Sequence, residues 1–288
     1  MVDGLVVVDK PPGITSHDVV GRCRRIFNQR RVGHGGTLDP DATGILLVGL
    51  GRATRLLRFL SELPKSYVGD VVLGVATSTL DAAGEQVGSW DMSGVTLEQV
   101  REAAVAFRGE IDQVPPMVSA VQIGGRRLHE LARAGVEVGR TARRVTVHDL
   151  EVDATSTPGV FRLRVTCSSG TYVRSLAADL GSALGGGAHL RALRRTAVGS
   201  FTESEARPLD EVGPDDVLPP LEAMRGRPHA VVDADLAAAV AHGKVLEQVA
   251  LGVEGEGPWA VVDETGDLLA VYEAYPGGRA KPAVVLSG

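Results

Sequence analysis

Between Lys65 and Ala76 the chain alternates, with Tyr67, Gly69, Val71, Leu73 and Val75 on one face and Val68, Asp70 and Val72 on the other. A period of two marks a β-strand, here with one face more apolar than the other. Val145–Ala154 and Val160–Cys167 read as a hairpin around Ser156-Thr157-Pro158-Gly159. Helical spacing is interspersed with these runs. Val19, Val20, Cys23, Ile26 and Phe27 mark one buried helix face after an N-cap at Ser16. Leu97, Val100, Ala104 and Phe107 mark a second helix, and residues 171–184 a third. Strands and helices thus mix without the regular βαβ alternation of a doubly wound sheet. The pattern predicts an α+β fold with a mainly antiparallel central sheet and flanking helices.

Shorter segments complete the outline. Strands are expected at Leu5–Asp9, Ile45–Leu50 and Val118–Ile123, and helices at Ala53–Leu60 and Leu128–Ala134. No element is assigned to residues 188–198. After Thr202 the composition turns acidic and proline-bearing, in RPLDEVGPDDVLPPLEA, which reads as a linker. The runs Ala260–Val262, Leu268–Tyr272 and Ala283–Leu286 then predict a small β-rich domain. The expected organisation is a catalytic domain over 1–205, a linker over 206–227 and a C-terminal β domain over 228–288.

Charge narrows the partners. Thirty basic against 36 acidic residues give a net charge of −6, which by itself argues mildly against a polyanion. The balance is uneven, however: +4 over residues 1–60, −6 over 61–120, +6 over 121–200 and −10 over 201–288. Two basic segments could together hold a nucleic acid if the fold joins them. No apolar run reaches the roughly 18–20 residues of a membrane span. Asp3 and Asp9 interrupt the N-terminal valines, so no secretory signal is read there. Two cysteines, Cys23 and Cys167, cannot make a disulfide framework, and a reducing cytoplasm is expected. P-loop, complete dinucleotide-fingerprint, metal-spacing and G-x-S-x-G motifs are all absent from the sequence.

One segment could carry chemistry, the glycine-rich run GHGGTLDPDATG from Gly33 to Gly44. Glycines permit close approach of a ligand, and Pro40 keeps Asp39 out of helical conformation. Asp39 would then stand on a loop beside a sheet, where a reacting group can reach it. The same residues also fit an Asx turn, in which Asp39 or Asp41 caps its own backbone.

These residues closely resemble the bacterial tRNA pseudouridine-55 synthases, the TruB family, in the segment G-H-x-G-x-L-D-P-x-A-T-G. Five further motifs match in order. They are Asp9-Lys10-Pro11-Pro12-Gly13-Ile14-Thr15-Ser16, Lys65-Ser66-Tyr67, the block Pro115–Ala120 with Leu131-Ala132-Arg133, Cys167–Leu176, and Gly187–Arg195. The resemblance implies an antiparallel sheet crossed by a catalytic cleft, and a C-terminal PUA-like domain. It implies isomerisation of a uridine in the TΨC loop of tRNA to pseudouridine, with no cofactor and no metal. Asp39 takes the position of the family's catalytic aspartate, Arg174 that of its active-site arginine and Tyr67 that of the tyrosine against the target base. An arginine beside Asp39 would favour the carboxylate.

The resemblance also assigns substrate-binding positions. Tyr172 and Leu193 align with residues lining the uracil pocket, and His34 with a histidine near the space left by the flipped nucleotide. Lys10 is expected to support the site. Arg126, Arg127, Arg133, Arg140, Arg143 and Arg144 fall in or near a segment, about 124–146, that relatives use as a clamp on the tRNA stem-loop. The same arginines also fit a solvated charged face. Gln122 stands where relatives often carry lysine and His129 where they often carry tyrosine, so those two positions depart from the pattern. The acidic C-terminal region is likewise unlike a basic RNA-binding domain. The partner implied is the T-arm of tRNA, bound by a monomer. A tRNA-folding chaperone is the rival reading, and a small-molecule hydrolase using Asp39 with His34 a distant third.

Overall fold

The computed structural model describes residues 2–119, 122, 123, 126, 127 and 138–286, with backbone only at 122, 123, 126 and 127. The chain forms two compact units: residues 1–40, 45–62 and 200–288 make the first, and residues 41–44 and 63–199 the second.

The second unit is built on the alternating segment. Lys65–Leu73 is a strand whose odd positions are buried and whose even positions are partly exposed. It pairs antiparallel with Val160–Cys167 on one side and Ala188–Val198 on the other. Val160–Cys167 pairs with Arg143–Ala154 in the expected hairpin, and Gly109–Gln113 follows, again antiparallel. Gly69 is needed where the strands converge, because a Cβ there would lie 2.9 Å from the Ala192 carbonyl oxygen. The helices Leu97–Val105 and Val173–Ala183 pack on Arg143–Ala154 and Ala188–Val198 respectively. The expected strand ends earlier than Ala76, because Gly74 turns at φ +86° and Val75–Thr77 instead pairs with Gln86–Ser89. Ala188–Val198 is the strand the sequence hides: two register shifts break its period and three arginines dilute its apolar signal. Of the expected strand at Val118–Ile123, Val118 and Ser119 are bends, Gln122–Ile123 is a strand paired with Arg126–Arg127, and residues 120 and 121 lie outside the described residues. The expected helix Leu128–Ala134 lies outside the described residues.

In the first unit Gly4–Lys10 lies between Arg207–Pro208 and the strand Thr43–Leu50, whose last residues pair antiparallel with Val32–His34. Helix Ser16–Ile26 covers these strands with Val19, Val20 and Cys23. Its cap is Thr15 rather than Ser16: Thr15 Oγ1 accepts from the Asp18 N–H, and the Asp18 carboxylate accepts from the Thr15 N–H. The hydroxyl that sequence alone assigns to capping is therefore available for another task. Residues 53–60 begin as a 3₁₀ helix, Gly51–Leu56, and continue as the short α-helix Leu57–Ser61. The stretch expected to be a linker is packed. Leu209 and Val212 are buried in the same core as Val6, Val8 and Val48, and Leu5 bridges to Leu218. Its apolar residues are spaced among acidic ones, which gives the segment a loop-like composition while one side reaches the core.

The C-terminal segment is β-rich, with strand order His229–Val231, Trp259–Val262, Leu268–Tyr275, Arg279–Val285, Leu246–Glu247. Trp259, Val261, Ala270, Tyr272 and Val240 form its own core. Among the described residues no helix is long and apolar enough to cross a membrane.

Candidate active site

The loop from Gly33 to Pro40 is held from below by the DKPPGITS segment. Ser16 Oγ accepts from the Leu38 N–H at 2.9 Å and donates to the Leu38 carbonyl at 3.1 Å. The Pro40 carbonyl accepts from the Gly13 N–H at 3.0 Å and from the Lys10 ammonium at 2.8 Å. Lys10 also donates to the Pro11 carbonyl and is fully buried, and its ammonium ties the two segments' backbones together. Leu38 is in the core at 3% exposure. Asp39 is thus fastened through both neighbours and is itself partly exposed. The Gly35 N–H donates to the Leu47 carbonyl, and Gly35 lies against Leu57 and Leu60, which lets the loop approach the helical turn. His34, partly buried, pairs across to Val48.

In the second unit Arg174 stands in the first turn of the helix Val173–Ala183 and is 4% exposed. Its Nη1 donates to the Thr79 carbonyl at 2.9 Å and lies 3.3 Å from the Asp81 carboxylate, while Nη2 donates to the Val118 carbonyl at 2.8 Å. Asp81 was not apparent from the sequence. It is in turn fixed by the Ala83 N–H and Thr79 Oγ1. Leu80 in the left-handed region, φ +63°, shapes that turn. An Asx-turn pattern in TSTLDAAGE is the signal that could have found it. Tyr172 is gripped by Gln113, whose amide accepts from the Tyr172 N–H at 2.7 Å and donates to its carbonyl at 3.1 Å. Ser175 Oγ donates to the Val114 carbonyl and Thr171 Oγ1 to the Ser168 carbonyl, so the polar residues of the CSSGTYVR segment anchor the helix start.

Tyr67 sits opposite Val165 and Arg195, and Leu193 opposite Gly69, so Tyr67 and Leu193 occupy adjacent strands two residues apart in register. Thr43 and Gly44 pair in parallel with Arg194 and Arg195. A Cβ on Gly44 would be 2.2 Å from the Arg195 carbonyl oxygen, and φ is +100°, so glycine is obligatory there. Beneath this pairing Lys65 is 7% exposed and donates to the Leu63 carbonyl at 2.7 Å. Burial, then repulsion from Arg195, push its ammonium down to about 8, opposed by Cys167.

The arginines expected as a clamp differ among themselves. Arg144 is engaged by Glu110 at 3.4 Å and Asp112 at 3.2 Å. Arg140 donates to the Pro115 carbonyl, and Arg143 is exposed opposite Gln113. Arg126 and Arg127 lie on a two-residue strand whose side chains, like Arg133 and His129 entirely, are outside the described residues. Among the described residues no group of three or more His, Cys, Asp or Glu could hold a metal ion.

A family model described as TruB family pseudouridylate synthase (N terminal domain) matches residues 24–173, and one for the tRNA pseudouridylate synthase B C-terminal domain matches 174–222. The tRNA pseudouridine synthase B of Rhodococcus jostii (strain RHA1) is 46% identical, covering 98% of this chain and 93% of that protein. The chain belongs to the TruB family of pseudouridine synthases. It is an isomerase that acts on tRNA. The tRNA pseudouridine synthase B of Mycobacterium tuberculosis (strain CDC 1551 / Oshkosh) is 43% identical, covering 98% of this chain and 95% of that protein. The TruB-family fold is also matched by a solved H/ACA RNP bound to a substrate RNA containing 2'-deoxyuridine. That match has TM-score 0.75 and 26% identity, over 99% of this chain and 85% of that one. A Cbf5-Nop10-Gar1 complex matches with TM-score 0.73 and 29% identity, over 96% and 79%.

Proposed function

We propose that this TruB-family enzyme isomerises uridine 55 in the TΨC loop of tRNA, with Asp39 as the catalytic carboxylate. The target nucleotide flips out of its loop at a cost of a few kcal/mol, and its uracil stacks on Tyr67. The C1′–N1 bond breaks, the uracil turns, and a C1′–C5 bond forms to the same ribose. C5 then loses its proton and N1 gains one, so the composition is unchanged. Asp39 acts as the nucleophile, ionised as a nucleophile must be. Arg174 supplies the cation of the reacting centre, and Tyr67 is the candidate acceptor for the C5 proton. Tyr172 and Leu193 line the uracil site, His34 stands near the space left by the flipped nucleotide, and Lys10 is a positioning residue. The enzyme works as a monomer in the cytoplasm.

The observation that carries this reading is the fastening of Leu38 and Pro40 on either side of a partly exposed Asp39. An aspartate whose two neighbours are fastened by their backbone, on a residue that solvent still reaches, is held in place for reaction. The test is incubation with an unmodified tRNA transcript and base-by-base mapping of pseudouridine. Product at position 55 is expected, and Asp39→Asn abolishes it while tRNA affinity stays within about tenfold. Binding without product from the unaltered protein would support the chaperone reading instead.

A further inference from the structure

Arg22, Arg24, Arg25, Arg30 and Arg31 fall within ten residues, and no acidic residue lies between Asp18 and Asp39. Among the described residues none of the five guanidinium groups forms an ion pair within 4 Å, and only Arg31 is close enough to a carboxylate, that of Asp3, to help hold its pKa down. Arg31 donates to Thr54 Oγ1 at 3.1 Å, and Arg24 reaches the Val32 carbonyl at 3.4 Å. By contrast Arg52, Arg58, Arg101, Arg162, Arg164 and Arg191 each meet a carboxylate. Asp18, one turn before Arg22, is committed to the cap at Thr15.

The backbone gathers these cations. After helix Ser16–Ile26 the chain reverses at Asn28, which is in the left-handed region at φ +48°. The Asn28 and Gln29 N–H groups donate back to the Arg25 and Arg24 carbonyls. Gln29 is buried and holds Val2 by two hydrogen bonds, at 2.8 and 3.0 Å, which fixes the turn. Arg24, Arg25, Arg30 and Arg31, with Asn28 and Gln29, then line one open groove of about 690 Å³. The helix C-terminus favours Arg24 and Arg25 in the last turn, but Arg30 and Arg31 lie beyond it, where the dipole gives them nothing. Exposed cations converging on a groove, in a chain of net charge −6, mark a place where a polyanion is tolerated. Guanidinium forks match phosphate oxygens two at a time.

We propose that this groove binds the sugar–phosphate backbone of the tRNA substrate, as a second point of attachment remote from the target base. The proposal rests on the tRNA reading above. Val32–His34 leads directly from Arg31 into the loop of Asp39, eight residues away, so the two are at most about 28 Å apart along extended chain. A stem-loop that delivers its uridine to Asp39 has phosphates over that distance.

The test measures affinity for an unmodified tRNA transcript across a salt series, with Arg25→Ala, Arg30→Ala and the double variant. Each substitution is expected to weaken binding several-fold at low salt. Each should also flatten the log–log salt slope by roughly 0.7–0.9 for every phosphate no longer neutralised. Arg30→Lys keeps the charge and restores the slope. Arg101→Ala removes the same charge where Asp153 pairs with it, and leaves the slope unchanged. A wild-type slope in the double variant overturns the proposal. Absence of pseudouridine from the unaltered enzyme would overturn the proposed function instead, while the slopes still report on the groove.

Discussion

The guanidinium of Arg174 is wedged against the carboxylate of Asp81, 3.3 Å away, at the start of a helix that leaves the arginine almost no solvent. Two backbone carbonyls, of Thr79 and Val118, also accept from it and help to fix the plane of the fork. Asp81 is thereby a positioning residue for the cation of the proposed centre. Asp81→Ala should lower kcat in single-turnover isomerisation by about 10–100-fold, the scale on which a small misplacement of a reacting group is felt. Affinity for tRNA should change far less. Asp81→Asn, which keeps the hydrogen bond from Ala83 but loses the charge, should fall between. Wild-type kcat in Asp81→Ala would mean that Arg174 is oriented without Asp81.

Ser16 carries a comparable burden for Asp39. Both backbone groups of buried Leu38 end on its hydroxyl. Ser16→Ala would leave a buried N–H and a buried carbonyl unpaired, at about 2–4 kcal/mol together. Denaturant unfolding should show that loss. Isomerisation should slow, because the residue before Asp39 is released, while RNA affinity is largely kept. A variant as stable as the parent would show that another group satisfies Leu38.

How much of this was legible depended on whether a residue's role was local. The strand Lys65–Leu73 and the hairpin of residues 145–167 were readable because their apolar period is undisturbed. Ala188–Val198 was not, since its two register shifts reset the period at Leu190 and again at Arg195. Ser16 looks like a cap in sequence, yet Thr15 caps and Ser16 reaches Leu38, 22 residues away. Asp39 stood out through its glycines and Pro40, and the family resemblance gave it a role. Asp81 did not, because its local Asx-turn pattern marks only a turn, and its meaning lies in a guanidinium 93 residues along the chain.

Lys65 makes stability depend on alkaline pH. Its folded pKa, about 8, lies below the ordinary lysine value, so between the two the unfolded chain holds a proton that the folded chain has released. Stability therefore rises with pH through that window, by up to about 1.4 kcal/mol per unit. Cys23 and Cys167, whose thiols burial pushes up to about 11, act oppositely above their ordinary value near 9. The window from pH 8 to 9 thus isolates the lysine. Unfolding free energies of the parent and of Lys65→Met should diverge there, the parent gaining and the variant not. Parallel curves would mean that Lys65 keeps an ordinary ammonium.

The last prediction concerns where the chain can be cut. An end at Glu205 looks natural by composition, but it discards Leu209, Val212 and Met224, all buried in the first unit. At about 1.5–3 kcal/mol each, their loss rivals the whole stability of a typical domain. An end at Arg227 keeps them and removes only the β-rich segment, which has its own core. The ties given up include Arg52 to the Leu286 carbonyl, Arg55 to the Val285 carbonyl and the half-exposed pair Arg58–Glu273, and exposed pairs of this kind contribute about 0–1 kcal/mol. Residues 228–288 carry nine acidic and three basic side chains, so their removal takes the net charge from −6 to zero. A less negative protein should meet tRNA faster at low salt. We expect the 1–205 chain to give no cooperative melt. The 1–227 chain should melt cooperatively and isomerise an isolated T-arm stem-loop with kcat within about tenfold of the full chain. A folded 1–227 chain without activity would show that the β-rich segment supplies part of the site, and a folded, active 1–205 chain would show that residues 206–227 are dispensable to the core they enter.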